Sequence, residues 1–478
     1  MHSGYDARLG LFIAGEWRVG EGREVQDVVN PATGASLGAL PLATTADLDA
    51  ALQAAQRGFE AWRATAPEVR ARILLKTAQI LRERAGRLAR IATLEQGKLY
   101  TEAFGEVAAA AALLEFQAGE AVRIYGRVLP RPTGTRSLVL HQPVGPVAAF
   151  CAWNFPIANV VRKITPALAA GCSIILKPSE ETPGSAVEVL RCFLDAGLPG
   201  DVVQCVFGVP DLVSRRLLAS PITRKVSFTG SVSVGKHLMR LAADSMMKAT
   251  MELGGHAPVL VFDDCHLEKS LDILVAHKFR NAGQVCISPT RFYVQEGIYD
   301  RFATGFAERT RRLKVGDGLE AASQMGPLAS PRRTETISAM IEDARGKGAK
   351  LLAGGGHAGG PGFFFSPTVL SEAPLDATAM NDEPFGPLAL LSPFRTLDDG
   401  IEQANRLPYG LAAYCFTENG RNQNLLGDAI EAGMVAINSV RMTWEDSPFG
   451  GMKDSGFGSE DGPEGVLAHL VTKAVHIA

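Results

Sequence analysis

From residue 145 to residue 262 the chain repeats one pattern: a short apolar run, a turn, a helix-period segment, then another apolar run. The runs fall at 145–150, 173–176, 202–207, 225–229 and 258–262. They are continuous rather than alternating, as strands buried on both faces require. Strand and helix in strict alternation predict a doubly wound α/β fold with a parallel sheet. Such sheets bind ligands at the carboxyl ends of their strands. The pattern resumes after Gly255, with helices expected over 267–280, 299–313 and 334–347 and a strand near 349–353, so a second α/β unit is expected.

The first third reads differently. Strands are expected within 11–19 and 27–29, and helices over 45–62, 68–84, 87–95 and 102–122. In the first of these helices Leu48, Leu52, Ala55, Phe59 and Trp62 recur at helical spacing, with Thr45 or Asp47 as caps. A chain of 478 residues exceeds one ordinary core, which implies two or three domains.

Composition removes several classes. A formal net charge of −3 argues against a nucleic-acid footprint. Seven cysteines, odd in number and irregular in spacing, make no disulfide framework and fit a reducing compartment. Residues 1–10, with Asp6 and Arg8, show no secretory h-region, and no run approaches the ~18 apolar residues of a membrane span. The expected setting is the cytoplasm, with no membrane, nucleic-acid or metal partner.

Chemistry concentrates in a few stretches. Phe279-Arg280-Asn281-Ala282-Gly283-Gln284-Val285-Cys286 sets one cysteine on a turn before an apolar run. A lone free cysteine is most often a small buried hydrophobe, but a turn at the mouth of a strand exposes a thiol. Upstream, Met251-Glu252-Leu253-Gly254-Gly255 places a glutamate before a Gly-Gly turn. At 225–231 a strand runs into Gly230-Ser231 and a helix bearing Gly235. That arrangement suits a phosphate at a helix N-terminus, although no G-x-G-x-x-G is present.

In this order the cysteine and glutamate stretches resemble the aldehyde dehydrogenase superfamily, over nearly the whole chain. The resemblance implies that Cys286 attacks the aldehyde, that Glu252 is the general base and that Asn154, in Cys151-Ala152-Trp153-Asn154-Phe155-Pro156, is an oxyanion donor. It implies a Rossmann-like cofactor domain (1–121 and 144–254), a catalytic domain (255–454) and a small β oligomerisation arm (122–143 and 455–478). Lys177 and Glu180 would hold the adenosine ribose and Glu383 the nicotinamide ribose. Gly230 and Ser231 would form the pyrophosphate loop. Trp153, Ser179, Gly208 and Phe385 complete the expected cofactor set. Glu180 should repel a 2′-phosphate while Lys177 and Ser179 could receive one, so NAD is expected and NADP is possible. The arm implies a homodimer or homotetramer.

Arg162 and Arg280, with their surroundings, resemble succinate-semialdehyde dehydrogenases, in which matching arginines bind a distal carboxylate. A guanidinium fork suits that group. The expected substrate is thus an ω-carboxylated semialdehyde of about four or five carbons. Where those enzymes have a serine contact, this chain has Met442-Thr443-Trp444-Glu445, so Trp444 is expected to narrow the pocket or stack on substrate. A neutral, hydroxylated or aromatic aldehyde is the alternative. From other classes come a cysteine hydrolase, whose nearest histidine is His277, and a catalytically silent structural protein. Transfer of the acyl group to coenzyme A is disfavoured by the presence of Glu252.

Overall fold

A computed structural model describes residues 5, 7–20 and 22–478; Asp6, cited above with Arg8, lies outside the described residues. Two parallel sheets dominate. The first has the order Glu16–Arg18, Leu11–Ile13, Val203–Cys205, Ile174–Lys177, Val147–Phe150, Lys225–Thr229, Lys248–Glu252, Gly456–Phe457. Its five inner strands are parallel and both edge pairings are antiparallel. The strand order reverses direction between Val147–Phe150 and Lys225–Thr229, which makes that crevice the switch point where α/β sheets take ligands.

The second sheet runs Lys350–Ala353, Thr368–Ser371, Leu388–Phe394, Pro289–Gln295, Ala257–Val261, Ala412–Phe416, Met434–Ile437. Each sheet carries its own apolar core. No helix among the described residues is long and apolar enough to cross a membrane.

The first long helix, Thr45–Arg63, is capped by Thr44 rather than by Thr45 or Asp47. The Thr44 hydroxyl accepts from the Asp47 N–H, and the Asp47 carboxylate accepts from the Thr44 N–H at 2.9 Å. This reciprocal capping box makes Asp47 the third helical residue. A helix follows at Ala158–Ala170. The N–H groups of its buried first turn are satisfied from another helix, because Glu106 accepts those of Ile157 and Ala158 at 2.8 and 2.9 Å.

The hairpin strands Arg127–Leu129 and Arg136–Pro143 pair with each other and with Leu470–Ile477 in a three-stranded antiparallel sheet. The rest of the tail goes elsewhere. Gly456–Phe457 adds an edge strand beside Met251 and Glu252, and Gly462–Leu467 forms a short helix.

Candidate active site

A cavity of about 620 Å³ opens between the two sheets. Its lining brings together Trp153, Asn154, Arg162, Gly230, Ser231, Glu252, Arg280, Cys286, Glu383 and Phe385. Lys177, Ser179, Glu180, Gly208 and Trp444 are not in that lining.

Cys286 reaches the cavity through a strained approach. The helix Leu267–Phe279 ends, and Asn281, Ala282 and Gly283 follow with φ of 51°, 52° and 70°. Only Gly fits the third position, since a Cβ there would lie 2.1 Å from the Gly386 carbonyl oxygen. Ala282 has no such licence. Left-handed backbone at an alanine costs ~1–3 kcal/mol and persists only where neighbours over-determine it. They do so here. Asn281 donates its backbone N–H to Glu102 at 3.0 Å and its amide to the Asn154 carbonyl at 3.1 Å. Behind the loop, the Tyr414 hydroxyl donates to the Ile287 carbonyl at 2.6 Å. Cys286 is half-buried, while five of the other six cysteines are buried, and all seven are free thiols. Burial pushes the Cys286 thiol up to about 12; Glu383 and Glu252 add to this, and Arg162 opposes it.

Glu252 ends the strand Lys248–Glu252 and is 2% exposed, yet both its carboxylate oxygens lack a hydrogen-bond partner. Burial raises its pKa well above the usual carboxylate range, and the Glu460 charge adds to the rise. The shift thus comes first from desolvation and then from a second carboxylate. A buried carboxyl without partners is costly. It is one that a water or substrate would satisfy.

Asn154 is held by groups that carry no motif. Its carbonyl accepts from Lys98 Nζ at 2.8 Å, and Lys98 also pairs with Glu106 at 2.6 Å and lies 4.0 Å from the Phe155 ring centre. Its Nδ2 donates to the Gln284 carbonyl at 3.1 Å, and its Oδ1 accepts from Asn159 at 3.3 Å. The side-chain amide is therefore oriented toward the cysteine loop. Lys98 and Glu106 are the site residues that motif reading missed. Their only signal was a pair of charges in otherwise buried helical surroundings.

On the cofactor side, Thr229 Oγ1 is buried without a partner beside Gly230 and Ser231, at the carboxyl end of its strand. Ser231 caps the helix Val232–Ala243. Glu383 accepts the Gly255 N–H at 3.2 Å, and burial pushes its carboxyl up to about 8. Gly254 permits this approach, since a Cβ there would sit 2.3 Å from Glu383 Oε2. The Trp153 and Phe385 rings meet edge to face at 5.4 Å. Further along the same sheet edge, Lys177 Nζ pairs with Glu180 at 2.6 Å, and Glu180 accepts the Gly208 N–H at 3.0 Å. A helix N-terminus, an unpaired hydroxyl and the carboxylates Glu383 and Glu180 at the carboxyl ends of the strands fit a dinucleotide.

On the opposite side, Arg162 Nε and Nη2 are engaged by Asp461 at 3.0 and 2.8 Å, and its guanidinium lies 4.5 Å from the Phe449 ring centre. Arg280 is exposed, makes no ion pair among the described residues and lies 5.3 Å from the Phe155 ring centre. Trp444 corrects its expected role. It is 43% exposed, with the Arg441 guanidinium stacked 3.2 Å from its ring centre, and Thr443 lines the cavity in its place.

The Aldehyde dehydrogenase family matches residues 17–475, and the chain belongs to that family. It is 47% identical over 467 residues to the 4-(hydroxymethyl)benzenesulfonate dehydrogenase TsaD1 of Comamonas testosteroni, covering 98% of this chain and 97% of that one. It is 42% identical to the NADP(+) succinate-semialdehyde dehydrogenase GabD of Escherichia coli strain K12, with the same coverage. The crystal structure of succinate-semialdehyde dehydrogenase from Burkholderia pseudomallei superposes with a TM-score of 0.97 at 40% identity, covering 99% of this chain and 98% of that one. The protein is an NAD(P)-dependent aldehyde dehydrogenase with the expected mixed α/β fold.

Proposed function

We propose that the enzyme oxidises an aldehyde carrying a distal anion, with Cys286 as nucleophile, Asn154 as oxyanion donor and Glu252 as general base. The observation that carries the substrate reading is Arg280, an exposed, unpaired guanidinium on the cavity wall beside Phe155. Arg332 is also exposed there, but its neighbour Arg333 donates to the Phe385 carbonyl at 3.1 Å, on the cofactor side. The GabD relative acts on a semialdehyde whose far end is a carboxylate. An ω-carboxylated semialdehyde of about four or five carbons is the first reading, by the fit of carboxylate to guanidinium. An aromatic sulfonate is the second. It is favoured by the name of the 47% identical relative and by the Trp153, Phe155, Phe385 and Phe449 rings in the wall.

Addition of Cys286 as the thiolate, its proton having passed to solvent, converts the flat carbonyl to a tetrahedral thiohemiacetal oxyanion. The Asn154 amide donates to its oxyanion, an interaction worth ~3–4 kcal/mol in comparable sites. When bound, the cofactor supplies a nicotinamide ring that accepts hydride. Loss of hydride from the adduct leaves a thioester on Cys286. Glu252 takes a proton from water, and the resulting hydroxide releases the acid. This use of Glu252 makes water, rather than a carrier thiol, the acyl acceptor.

The cofactor would be held by Trp153, Gly230, Ser231, Glu383 and Phe385 in the cavity, and by Lys177, Ser179, Glu180 and Gly208 along the sheet edge. NAD is the proposed form. Ser179 Oγ is bonded to Glu181 and Lys177 to Glu180, so the groups that could receive a 2′-phosphate are already matched to carboxylates. We also propose the domain division 1–121 with 144–254, 255–454, and an arm of 122–143 with the end of the tail. Tyr125 and Val128, each 71% exposed on that arm, support a homodimer or homotetramer. A thiol nucleophile suits a reducing cytoplasm.

The test is a panel of succinate semialdehyde, glutarate semialdehyde, 4-formylbenzenesulfonate and hexanal with both cofactors, scored by kcat/KM. Arg280→Ala should raise KM for the preferred anionic aldehyde by about 10–150-fold, the loss of one charge-assisted contact, and leave hexanal unaffected. Wild-type preference for hexanal would refute the anion reading.

A further inference from the structure

Two cavity arginines differ in one respect: Arg162 has an internal counterion and Arg280 has none. Arg162 Nε lies 3.1 and 3.0 Å from the two Asp461 carboxylate oxygens, and its Nη2 lies 2.8 Å from one of them. Asp461 is 4% exposed. The adjoining pair, Lys163 and Glu460, is matched in the same way. The fork that would receive a substrate carboxylate is thus already filled by a carboxylate from the chain itself.

Asp461 occupies this position at a conformational cost. Its φ of 56° and ψ of −177° lie in a region used almost only by glycine. The loop holds it there from several sides. Phe449 and Glu460 exchange backbone hydrogen bonds at 2.7 and 2.8 Å, the Gly462 N–H donates to the Glu445 carbonyl at 3.0 Å, and Gln117 donates to the Gly462 carbonyl at 3.2 Å. A charged side chain retained where glycine would be unstrained, and aimed at a cavity arginine, is a feature with a purpose to explain.

The two arginines also stand at different depths. The Arg162 side chain is 18% exposed and packs on the Phe449 ring, whereas Arg280 is exposed beside Phe155. An anion close to the reacting carbon would meet Arg162. One further away would meet Arg280.

We propose that Asp461 is a specificity-determining residue: by holding Arg162 in an internal ion pair, it leaves Arg280 to read the substrate anion and so favours aldehydes whose anion lies far from the carbonyl. This rests on the distal-anion reading above. Asp461→Gly removes the counterion and the strained side chain together. Asp461→Asn removes the charge while keeping the shape, and asparagine tolerates positive φ.

The experiment measures KM and kcat of the intact enzyme and both variants for succinate semialdehyde, glutarate semialdehyde and hexanal, with thermal unfolding of each protein. In both variants KM for succinate semialdehyde should fall about ten-fold, the gain of one charge-assisted contact. KM for glutarate semialdehyde should fall less, and that for hexanal should not move. An unchanged or raised KM for succinate semialdehyde in a variant that turns over hexanal normally overturns the proposal. Equal loss of turnover for all three aldehydes in both variants makes the pair a structural tie, which also overturns it. Wild-type preference for hexanal removes the distal-anion reading, and this inference with it. Wild-type preference for anions, with no shift in the variants, removes this inference alone.

Discussion

The floor of the cavity and its anion-reading wall are held very differently. At the floor, Cys286 follows three left-handed residues that are tied by Glu102 and the Asn154 carbonyl and pack closely against Gly386. Asn154 is gripped through both its backbone and its amide. At the wall, Arg280 meets the Phe155 ring, and Trp444 meets Arg441 on the surface. Reaction geometry tolerates little displacement, since a misplacement of about 1 Å can cost ~10²-fold. Anion recognition by a long cationic side chain tolerates more. The difference implies that substitutions at the floor change kcat, while those at the wall change KM.

The largest expected effect is at the nucleophile. Cys286→Ala should lower kcat by at least about 10⁴-fold, as loss of a covalent nucleophile does, and leave cofactor affinity unchanged. Fluorescence titration of the cofactor beside steady-state assays checks this. Substantial turnover by the alanine variant would remove the covalent route.

Glu252→Gln should slow thioester hydrolysis by ~10²–10⁴-fold, the usual worth of a general base. A full first-turnover burst of NADH should remain, followed by slow turnover. Loss of the burst would assign Glu252 to an earlier step. The same residue sets a pH dependence. Burial raises the pKa values of both Glu252 and the Cys286 thiol, so each is protonated at low pH and gains its reactive form as pH rises. Wild-type activity should therefore keep climbing as pH rises above the ordinary carboxylate range. In Glu252→Gln the Glu252 contribution to that rise should vanish from the hydrolytic step. A flat wild-type profile would contradict the burial of both groups.

Asn154→Ala comes next, with kcat lowered about 10²–10³-fold as for other oxyanion donors and little change in KM. A change confined to KM would move Asn154 from the floor to the wall.

The floor was also the part most open to reading from sequence. Cys286, Glu252, Asn154 and Glu383 sit in short local motifs, and turns, strand ends and glycines are local signals. The alternation of strand and helix announced the parallel sheets. What escaped was set by topology. Lys98 reaches Asn154 across 56 positions, and Arg162 meets Asp461 across 299. No periodicity reports a contact at such a separation. Strand order is equally hidden, so the pairing of Gly456–Phe457 with Met251 and Glu252 could not be foreseen from a tail expected to join the β arm. The cap misplacement at Thr44 is of a smaller kind. Thr44 and Thr45 are chemically alike, and the choice between them depends on which one leaves Asp47 as third residue.

The smallest effect is expected at Trp444, which tests the wall from outside. A tryptophan in place of a serine contact suggests a narrowed pocket, but the side chain is exposed and capped by the Arg441 guanidinium, with Thr443 turned to the cavity instead. A cation–π pair at an exposed site is worth about 0.5–1 kcal/mol, so Trp444→Ala should lower stability by no more than that. Because the indole does not line the cavity, KM for an anionic aldehyde should change by less than about two-fold, within the free energy of such a surface contact. Thermal unfolding and steady-state kinetics with succinate semialdehyde measure both quantities. A ten-fold change in KM would mean that the indole turns inward when substrate binds. The wall would then be a moving part, and its contrast with the rigid floor would be one of timing rather than of construction.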